Sequence, residues 1–505
     1  MLYAIAGVSG NTGRVAAETL LSAGEKVRVI VRDAAKAASW RARGAEVAVA
    51  DLGNAEQLAA AITGADGVYL LLPPRVAPGF RAYQLATGKA LVEAVGRAKP
   101  AHVVLLSSVG AHVPEGTGPI AGLYPVEKGL EAVRAENPGV NITFLRAGYF
   151  MENLAGSFAA LGDGILPGFT PVDAPMPMIA TVDIGRTAAG LLREGGKGRQ
   201  IVQLGGPVRT PTDAAAALTR LLGRPIQAVA APTSAMAATL TGYGFPEDLA
   251  ALYQEMTESM LAGRVGWEAG PDIRNVEGTT SLETVLAGLL VRQPRRVGVL
   301  GSGQVAQVLA KGFAGEGHSV RIGSRDAGKL AAFAGEAKVG HGTFASVAAE
   351  SEIVVLAVKG TAAEAVVREN AAALAGKIVL DATNPIEDAP PEGGILRFFT
   401  GPNDSLMERL QALAPTARFV KAFSSVGNHL MVHPKLPGGR PTMFIAGDDA
   451  GAKAMVTALL DVFEWDAEDV GGAKGARAIE PLCQLWCAPG FLRNDWVHAF
   501  KVLKP

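Results

Sequence analysis

Tyr124 and Lys128 stand four residues apart, downstream of Ser107-Ser108, which follow an apolar run over 102–106. On a helix, positions i and i+4 share a face. An ammonium beside a phenol favours the phenolate, so such a tyrosine can give or take a proton near neutral pH. Ser108, or Ser107 beside it, supplies the second hydroxyl of that relay. Pro125 is suited to a helix start, which puts Tyr124 at the first helical position and leaves its direction open. Arg32 and Arg325 end two other apolar runs. A planar guanidinium there matches the 2′-phosphate of NADP, whereas an acidic residue would bind the 2′-hydroxyl of NAD. Asp33 and Asp326 follow directly, so the NAD reading stays open beside the NADP one.

These residues need a strand–turn–helix–strand unit to hold them, and the chain carries two. An apolar run, 2–6, leads into Gly7-Val8-Ser9-Gly10-Asn11-Thr12-Gly13 and a helical stretch, 14–23; a second run, 27–31, ends in Arg32. In this G-x-x-G-x-x-G spacing the first glycine allows a tight turn. The second lets the backbone approach a pyrophosphate, and the third lets helix and sheet pack closely. The helix N-terminus then offers unpaired N–H groups to the anion. Ser9, Asn11 and Thr12 belong to that cradle, while Asp51 and Leu72 end the third and fourth strands beside it. The pattern recurs as 297–300, Gly301-Ser302-Gly303-Gln304-Val305-Ala306, a helix to 315, and a strand, 319–322, ahead of Ser324-Arg325. Val358, ending a strand over 353–358, takes the place of Leu72.

Strands alternate with helices through both halves. That pattern predicts an α/β chain of two tandem Rossmann-type domains, each a doubly wound parallel sheet. The boundaries read as 1–292 and 295–505. From 151 the first alternation loosens into Gly- and Pro-rich stretches, 162–177 and 242–246, around helices over 182–194 and 212–222. This predicts a small substrate cap over the carboxyl ends of the strands. In the second half, strands over 378–381 and 419–422 lead into Asn384 and into Ser424, and a helix is expected over 476–486. Topology sends these loops and the turn at Gly301 to one crevice. Asn384 is the expected catalytic residue there, with Ser424, Asn428 and His429 on the substrate.

His429 and His433 titrate near neutrality and read either as proton donors or as plain loop histidines. Cys483 and Cys487 share a helix face; two ligands make no metal site, and buried packing is the reading for both. Trp486, Phe491, Trp496 and Phe500 read as a core or subunit contact. The 505 residues carry 47 basic and 48 acidic side chains, a net charge of -1, which gives no footing for nucleic acid or an anionic membrane. Apolar runs are strand-sized, short of the ~20 residues of a membrane helix. The first strand begins at residue 2 and leaves no room for a signal peptide. Together these predict a cytoplasmic protein with a small-molecule substrate, and a homodimer is the expected assembly.

Residues 1–292 resemble the NmrA-like group of atypical short-chain dehydrogenases. The likeness rests on the 7–13 turn, on Leu106-Ser107-Ser108, and on Leu145-Arg146-Ala147-Gly148-Tyr149-Phe150-Met151-Glu152-Asn153. It implies NADPH-dependent quinone or dye reductases, or NADP-binding regulators without catalysis, and places Tyr149 and Asn153 at the substrate. The Ser–Tyr–Lys relay is that of short-chain dehydrogenases. Residues 295–505 resemble NADP-binding reductases related to deazaflavin-dependent NADP reductase. Here the likeness rests on Gly301-Ser302-Gly303, Gly323-Ser324-Arg325, Asp381-Ala382-Thr383-Asn384-Pro385, Val420-Lys421-Ala422-Phe423 and Met443–Asp449. It implies direct hydride transfer between two bound cofactors. Lys359-Gly360 and Ser424-Ser425 depart from that family near the nicotinamide, so deazaflavin, flavin, quinone, carbonyl and imine acceptors all stay open. The whole reads as an NADPH-dependent oxidoreductase with two NADP(H) per chain. The rival reading is an NADP(H)-sensing regulator that binds without turnover.

Overall fold

A computed structural model describes residues 1–504 and divides into two compact units. One comprises Met1–Ala216 with Ile226–Val285; the other comprises Ala217–Pro225 and the residues from Leu286 on.

The strands of the first unit are β1 (Leu2–Ile5), β2 (Lys26–Val31), β3 (Glu46–Val49), β4 (Gly67–Leu71), β5 (His102–Ser108), β6 (Asn141–Ala147), β7 (Tyr149–Phe150), β8 (Ile165–Gly168), β9 (Met176–Ile179), β10 (Arg199–Gly205), β11 (Val208–Arg209), β12 (Gln227–Ala230) and β13 (Ile273–Glu277). Eight of them form one sheet in the order β13-β10-β6-β5-β4-β1-β2-β3. Every pairing in it is parallel. Period-2 alternation explains the two-sided core. Tyr3 and Ile5 pack with Val29, Val104 and Leu145 on one face, while Ala4 and Ala6 pack with Val68, Leu70 and Leu105 on the other. Strand order reverses between β1 and β4, and that switch point is where such sheets take their ligands.

The second unit repeats the plan with β14 (Arg296–Leu300), β15 (Ser319–Ser324), β16 (Gly340–Thr343), β17 (Ile353–Leu356), β18 (Ile378–Asp381) and β19 (Arg418–Lys421), ordered β16-β15-β14-β17-β18-β19. All five pairings are parallel. A separate parallel pair, β20 (Thr442–Ile445) and β21 (Asp466–Asp469), follows. The fold is thus α/β with two doubly wound Rossmann-type sheets.

Several elements depart from the sequence reading. The Gly/Pro-rich stretch 162–177 holds β8 and the start of β9, which pair with β12 and with β7 and β11. Edge strands β13 and β16 lack a continuous apolar run, because an edge strand of sequence Gly-His-Gly-Thr needs only its backbone to pair. The helix expected over 476–486 breaks into Ala476–Ile479 and Pro481–Arg493. Pro481 has no N–H to continue the ladder. The histidine His433 also lies elsewhere than a substrate loop requires. Its Nε2 is 2.8 Å from Glu316, just past the C-terminus of helix Gln304–Gly315. That end is about 18 Å from the N-terminal end that faces the glycine turn. Cys483 is buried, Cys487 is only half-buried, and neither is in a disulfide. Trp486, Phe491 and Trp496 join His498 in one aromatic cluster, with ring centroids 5.0–5.9 Å apart. No helix of the described residues is long and apolar enough to cross a membrane.

His102, at the start of β5, carries a pH dependence. It is 4% exposed, and burial pulls its pKa down to about 4. The unfolded chain binds that proton from about pH 6.5. Neutral His102 therefore stabilises the fold above pH 6.5, and the contribution is lost as pH falls toward 4. The stability of the first unit should fall by about 3 kcal/mol as pH drops across that window. His102→Gln should flatten the pH 4–6.5 limb, and an unchanged limb would contradict this assignment.

Candidate functional site

Both glycine turns sit at the carboxyl end of the first strand of their sheets, at the switch point. Gly7 has φ +69°, and a Cβ there would come within 2.5 Å of Leu71 at the end of β4. A Cβ on Gly13 would lie 2.3 Å from the Ala6 carbonyl, so only glycine lets helix Asn11–Ser22 pack so close to β1. In the second unit Gly301 has φ +147°, and a Cβ would lie 2.3 Å from the Ala357 carbonyl beyond β17. Nothing lies within 4 Å of a Cβ on Gly303. Leu72 and Val358, each half-buried, flank the two switch points.

The N-termini of helices Asn11–Ser22 and Gln304–Gly315 have no side-chain cap and no acidic residue in the first turn. Asn54, Thr343, Ser405 and Asp449 cap other helices. Helices Phe80–Ala98 and Gly360–Leu374 likewise lack a side-chain cap and a first-turn acid, so it is the position at the switch point that singles out Asn11–Ser22 and Gln304–Gly315. Ser9, Gly10 and Asn11, like Ser302, Gly303 and Gln304, are exposed around these two open ends, with Val305 half-buried behind. Free N–H groups at the positive end of a helix dipole fit a dinucleotide pyrophosphate. The Thr12 side chain is already engaged, accepting from Tyr69 Oη at 2.9 Å.

Past β2 and β15 the two units repeat one arrangement. Arg32 and Arg325 are exposed, and neither guanidinium has a hydrogen bond or ion pair among the described residues. Asp33 is occupied, accepting from Ala35 N–H at 2.9 Å, and Asp326 accepts from Gly328 N–H at 3.1 Å. The acidic groups therefore cap turns while the arginines are free, which fits a 2′-phosphate. Ser324 Oγ holds the same turn through both backbone groups of Asp326. Asp51 is likewise folded into a local turn onto Gly53 N–H.

Ser108, Tyr124 and Lys128 share no hydrogen bond with one another among the described residues. Helix Tyr124–Glu136 begins at Tyr124, and the Lys128 ammonium lies 5.8 Å from the centre of its ring. Lys128 is exposed and pairs with Glu131 at 2.9 Å, while Ser108 Oγ donates to the Val109 carbonyl. The inward face of the helix carries Val126, Glu127 and Leu130 instead. Glu127 accepts from Ser107 Oγ at 2.6 Å and grips Arg146 through both oxygens at 3.0 and 2.6 Å. Arg146 is 2% exposed and also pairs with Glu268. Sequence reasoning missed Glu127 and Glu268; the one legible signal was a carboxylate set between Val126 and Leu130 on an apolar stripe.

Tyr149 and Asn153 do come together. They line a cavity of about 410 Å³ with Leu154, Phe169, Met176, Met236, Phe245, Tyr253, Met256 and Met260 among its walls. The cavity opens beside β7, directly after the carboxyl end of β6. Burial pushes the Tyr149 hydroxyl up to about 12, with Asn153 hydrogen-bonded to it and partly offsetting the shift. Burial raises Tyr253 too.

In the second unit Lys421, fully buried, lies 3.0 Å from Asp381, 3.1 Å from Glu480 and 2.6 Å from the Thr383 carbonyl. Burial disfavours its charge, but the two carboxylates outweigh that and raise its pKa. Asp381 also accepts from Thr383 N–H and Oγ, so the Thr383 side chain is structural. This network fixes the loop that carries Asn384. Asn384 Nδ2 donates to the Ser424 carbonyl at 2.9 Å, and Asn428 and His429 open the short turn Asn428–Leu430 farther along.

A model described as "NmrA-like family" matches residues 2–285 of this chain. The chain belongs to the NmrA-like family. A second model, "NADP oxidoreductase coenzyme F420-dependent", matches residues 296–385. Among relatives, this NmrA-like chain is 30% identical over 256 residues to NAD(P)H azoreductase of Xenophilus azovorans, covering 49% of this chain and 85% of that protein. It is 30% identical over 253 residues to quinone oxidoreductase 2 of Escherichia coli (strain K12), covering 49% and 84%. A solved structure provisionally named an F420-dependent NADP reductase, from Arthrobacter sp. FB24, is 33% identical over 42% of this chain and 100% of its own, with a TM-score of 0.40. The chain is an NADP-dependent oxidoreductase.

Proposed function

We propose that this reductase binds two NADP(H), one at each glycine turn, within functional domains 1–292 and 295–505. In the first, a flat and largely apolar acceptor, a quinone or an azo compound, occupies the cavity at Tyr149. The cavity carries this reading: it opens at the carboxyl edge of the sheet and is walled by methionine and aromatic side chains. Such surfaces adapt to flat ligands. Bound NADPH supplies the hydride. Tyr149, held protonated far above neutral pH, donates a hydrogen bond to negative charge developing on the acceptor. The hydride together with one proton, drawn ultimately from solvent, completes the two-electron reduction of a quinone to its hydroquinone or of an azo compound to its hydrazo form. In the second domain the acceptor, a flavin-like or deazaflavin ring or a small carbonyl or imine, lies against the loops that carry Asn384 and Ser424.

The test is NADPH oxidation by the full chain, followed with a panel of quinones, azo dyes, flavins, deazaflavins, carbonyls and imines. Turnover with quinones or azo dyes is expected. Tight NADPH binding with no turnover on any of them would replace this reading with that of a sensor. Arg32→Ala and Arg325→Ala should each weaken NADP⁺ at their own site by about 1.5–3 kcal/mol, the scale of a charge-assisted hydrogen bond. Binding of NAD⁺ should hardly change, and calorimetry reads both.

A further inference from the structure

Two buried polar atoms on the loops that follow β18 and β19 have no partner among the described residues: Asn384 Oδ1 and Ser424 Oγ. Ser424 is 3% exposed. Leaving such atoms unpaired costs about 1–3 kcal/mol each, yet the surrounding chain is built to hold them. Phe423, just before Ser424, has φ +60°, a conformation that costs a bulky side chain energy and persists where the surroundings enforce it. A Cβ on Gly360 would lie 1.9 Å from the Asn384 carbonyl, so Gly360 is what allows helix Gly360–Leu374 to reach this loop. The Lys421 network clamps Thr383 from behind.

The chemistry of the two atoms is specific. Asn384 has its orientation fixed, because its Nδ2 donates to the Ser424 carbonyl. Its Oδ1 can therefore only accept, and the ligand must bring an N–H or O–H donor. The Ser424 hydroxyl can donate to a carbonyl beside it. A carboxylate would face Oδ1 with no donor, and a simple ketone would satisfy one atom and leave the other buried. We propose that Asn384 and Ser424 together read the edge of an amide, an N–H and a C=O on the same carbon. This rests on the reading that the second domain binds NADP(H). That edge occurs in the nicotinamide carboxamide and in the lactam of a flavin or deazaflavin ring.

The experiment uses the full chain carrying Gly10→Glu, which puts a carboxylate at the mouth of the first turn. Gly10 has an extended backbone (φ -102°), and a Cβ there comes no closer than 3.4 Å to the Gly7 carbonyl. Calorimetry compares NADP⁺ with its 3-acetylpyridine analogue, which keeps the carbonyl and replaces NH₂ by methyl. A second arm compares riboflavin with N3-methylriboflavin. The parent should prefer the N–H member of one pair by about tenfold, and the pair that shows it identifies the source. Asn384→Leu should cut that preference to within about twofold, and Ser424→Ala should weaken both members about equally, roughly fivefold. Ser424→Ala removes an unpaired buried oxygen, so its melting temperature without ligand should match or exceed the parent's; this variant keeps the test decisive if Asn384→Leu does not fold. Equal affinity within both pairs overturns the amide reading alone. Absence of NADP⁺ and flavin binding overturns both it and the reading beneath it.

Discussion

Tyr149→Phe is expected to lower kcat/KM for a quinone or azo acceptor by roughly one to two orders of magnitude, with NADPH binding unchanged. The loss is that of one preorganised donor to a developing anion. The substitution deletes a single oxygen from the wall of the cavity, so the acceptor still fits and the effect falls on kcat. Because burial holds the hydroxyl near pKa 12, activity should show no Tyr149 limb between pH 6 and 9. Tyr124→Phe is the control. Its ring stands at the start of a helix whose lysine is paired with Glu131, so the rate should stay within about threefold of wild type, since no relay proton is lost. A collapse in Tyr124→Phe with an intact Tyr149→Phe would restore the Ser–Tyr–Lys relay and sink the role given to Tyr149.

The largest stability effect is expected from Glu127→Ala, a loss of about 3–5 kcal/mol, the range for removing one partner of a buried ion pair. Arg146 would keep its charge, 2% exposed, with only the partly exposed Glu268 to face it, and Ser107 would lose its acceptor. Lys128→Ala, one residue along the same helix, removes an exposed pair and should cost no more than about 0.5 kcal/mol. Thermal or urea unfolding of the full chain, followed through the transition of the first unit, compares the two. Equal midpoints for both variants would mean the buried network contributes nothing.

The fold was legible because it rests on local signals. Glycine spacing marks where backbone must approach backbone, and strand–helix alternation fixes a parallel sheet with little dependence on particular partners. The placement of Arg32 and Arg325 just past strand ends was legible for the same reason, since strand ends are fixed by the motif. Hidden in the sequence was which face of a helix turns inward. Tyr124 and Lys128 satisfy the i, i+4 rule, but so does any exposed pair, and the apolar stripe of Val126 and Leu130 turns Glu127 to the sheet. The Asp381–Lys421–Glu480 cluster was half legible. Asp381 and Lys421 end adjacent strands in register, whereas Glu480 arrives from a distant helix break. The two unpaired atoms at Asn384 and Ser424 depend on side-chain orientation and could not be read from residue types at all.

An equilibrium titration of the full chain with NADP⁺ counts its NADP(H) sites directly. Two molecules are expected to bind per chain, falling to one with Gly10→Glu, to one with Gly303→Glu, and to none with both. A single site in the unaltered chain, or tighter binding of NAD⁺ than of NADP⁺ at both turns, would contradict the two-site reading.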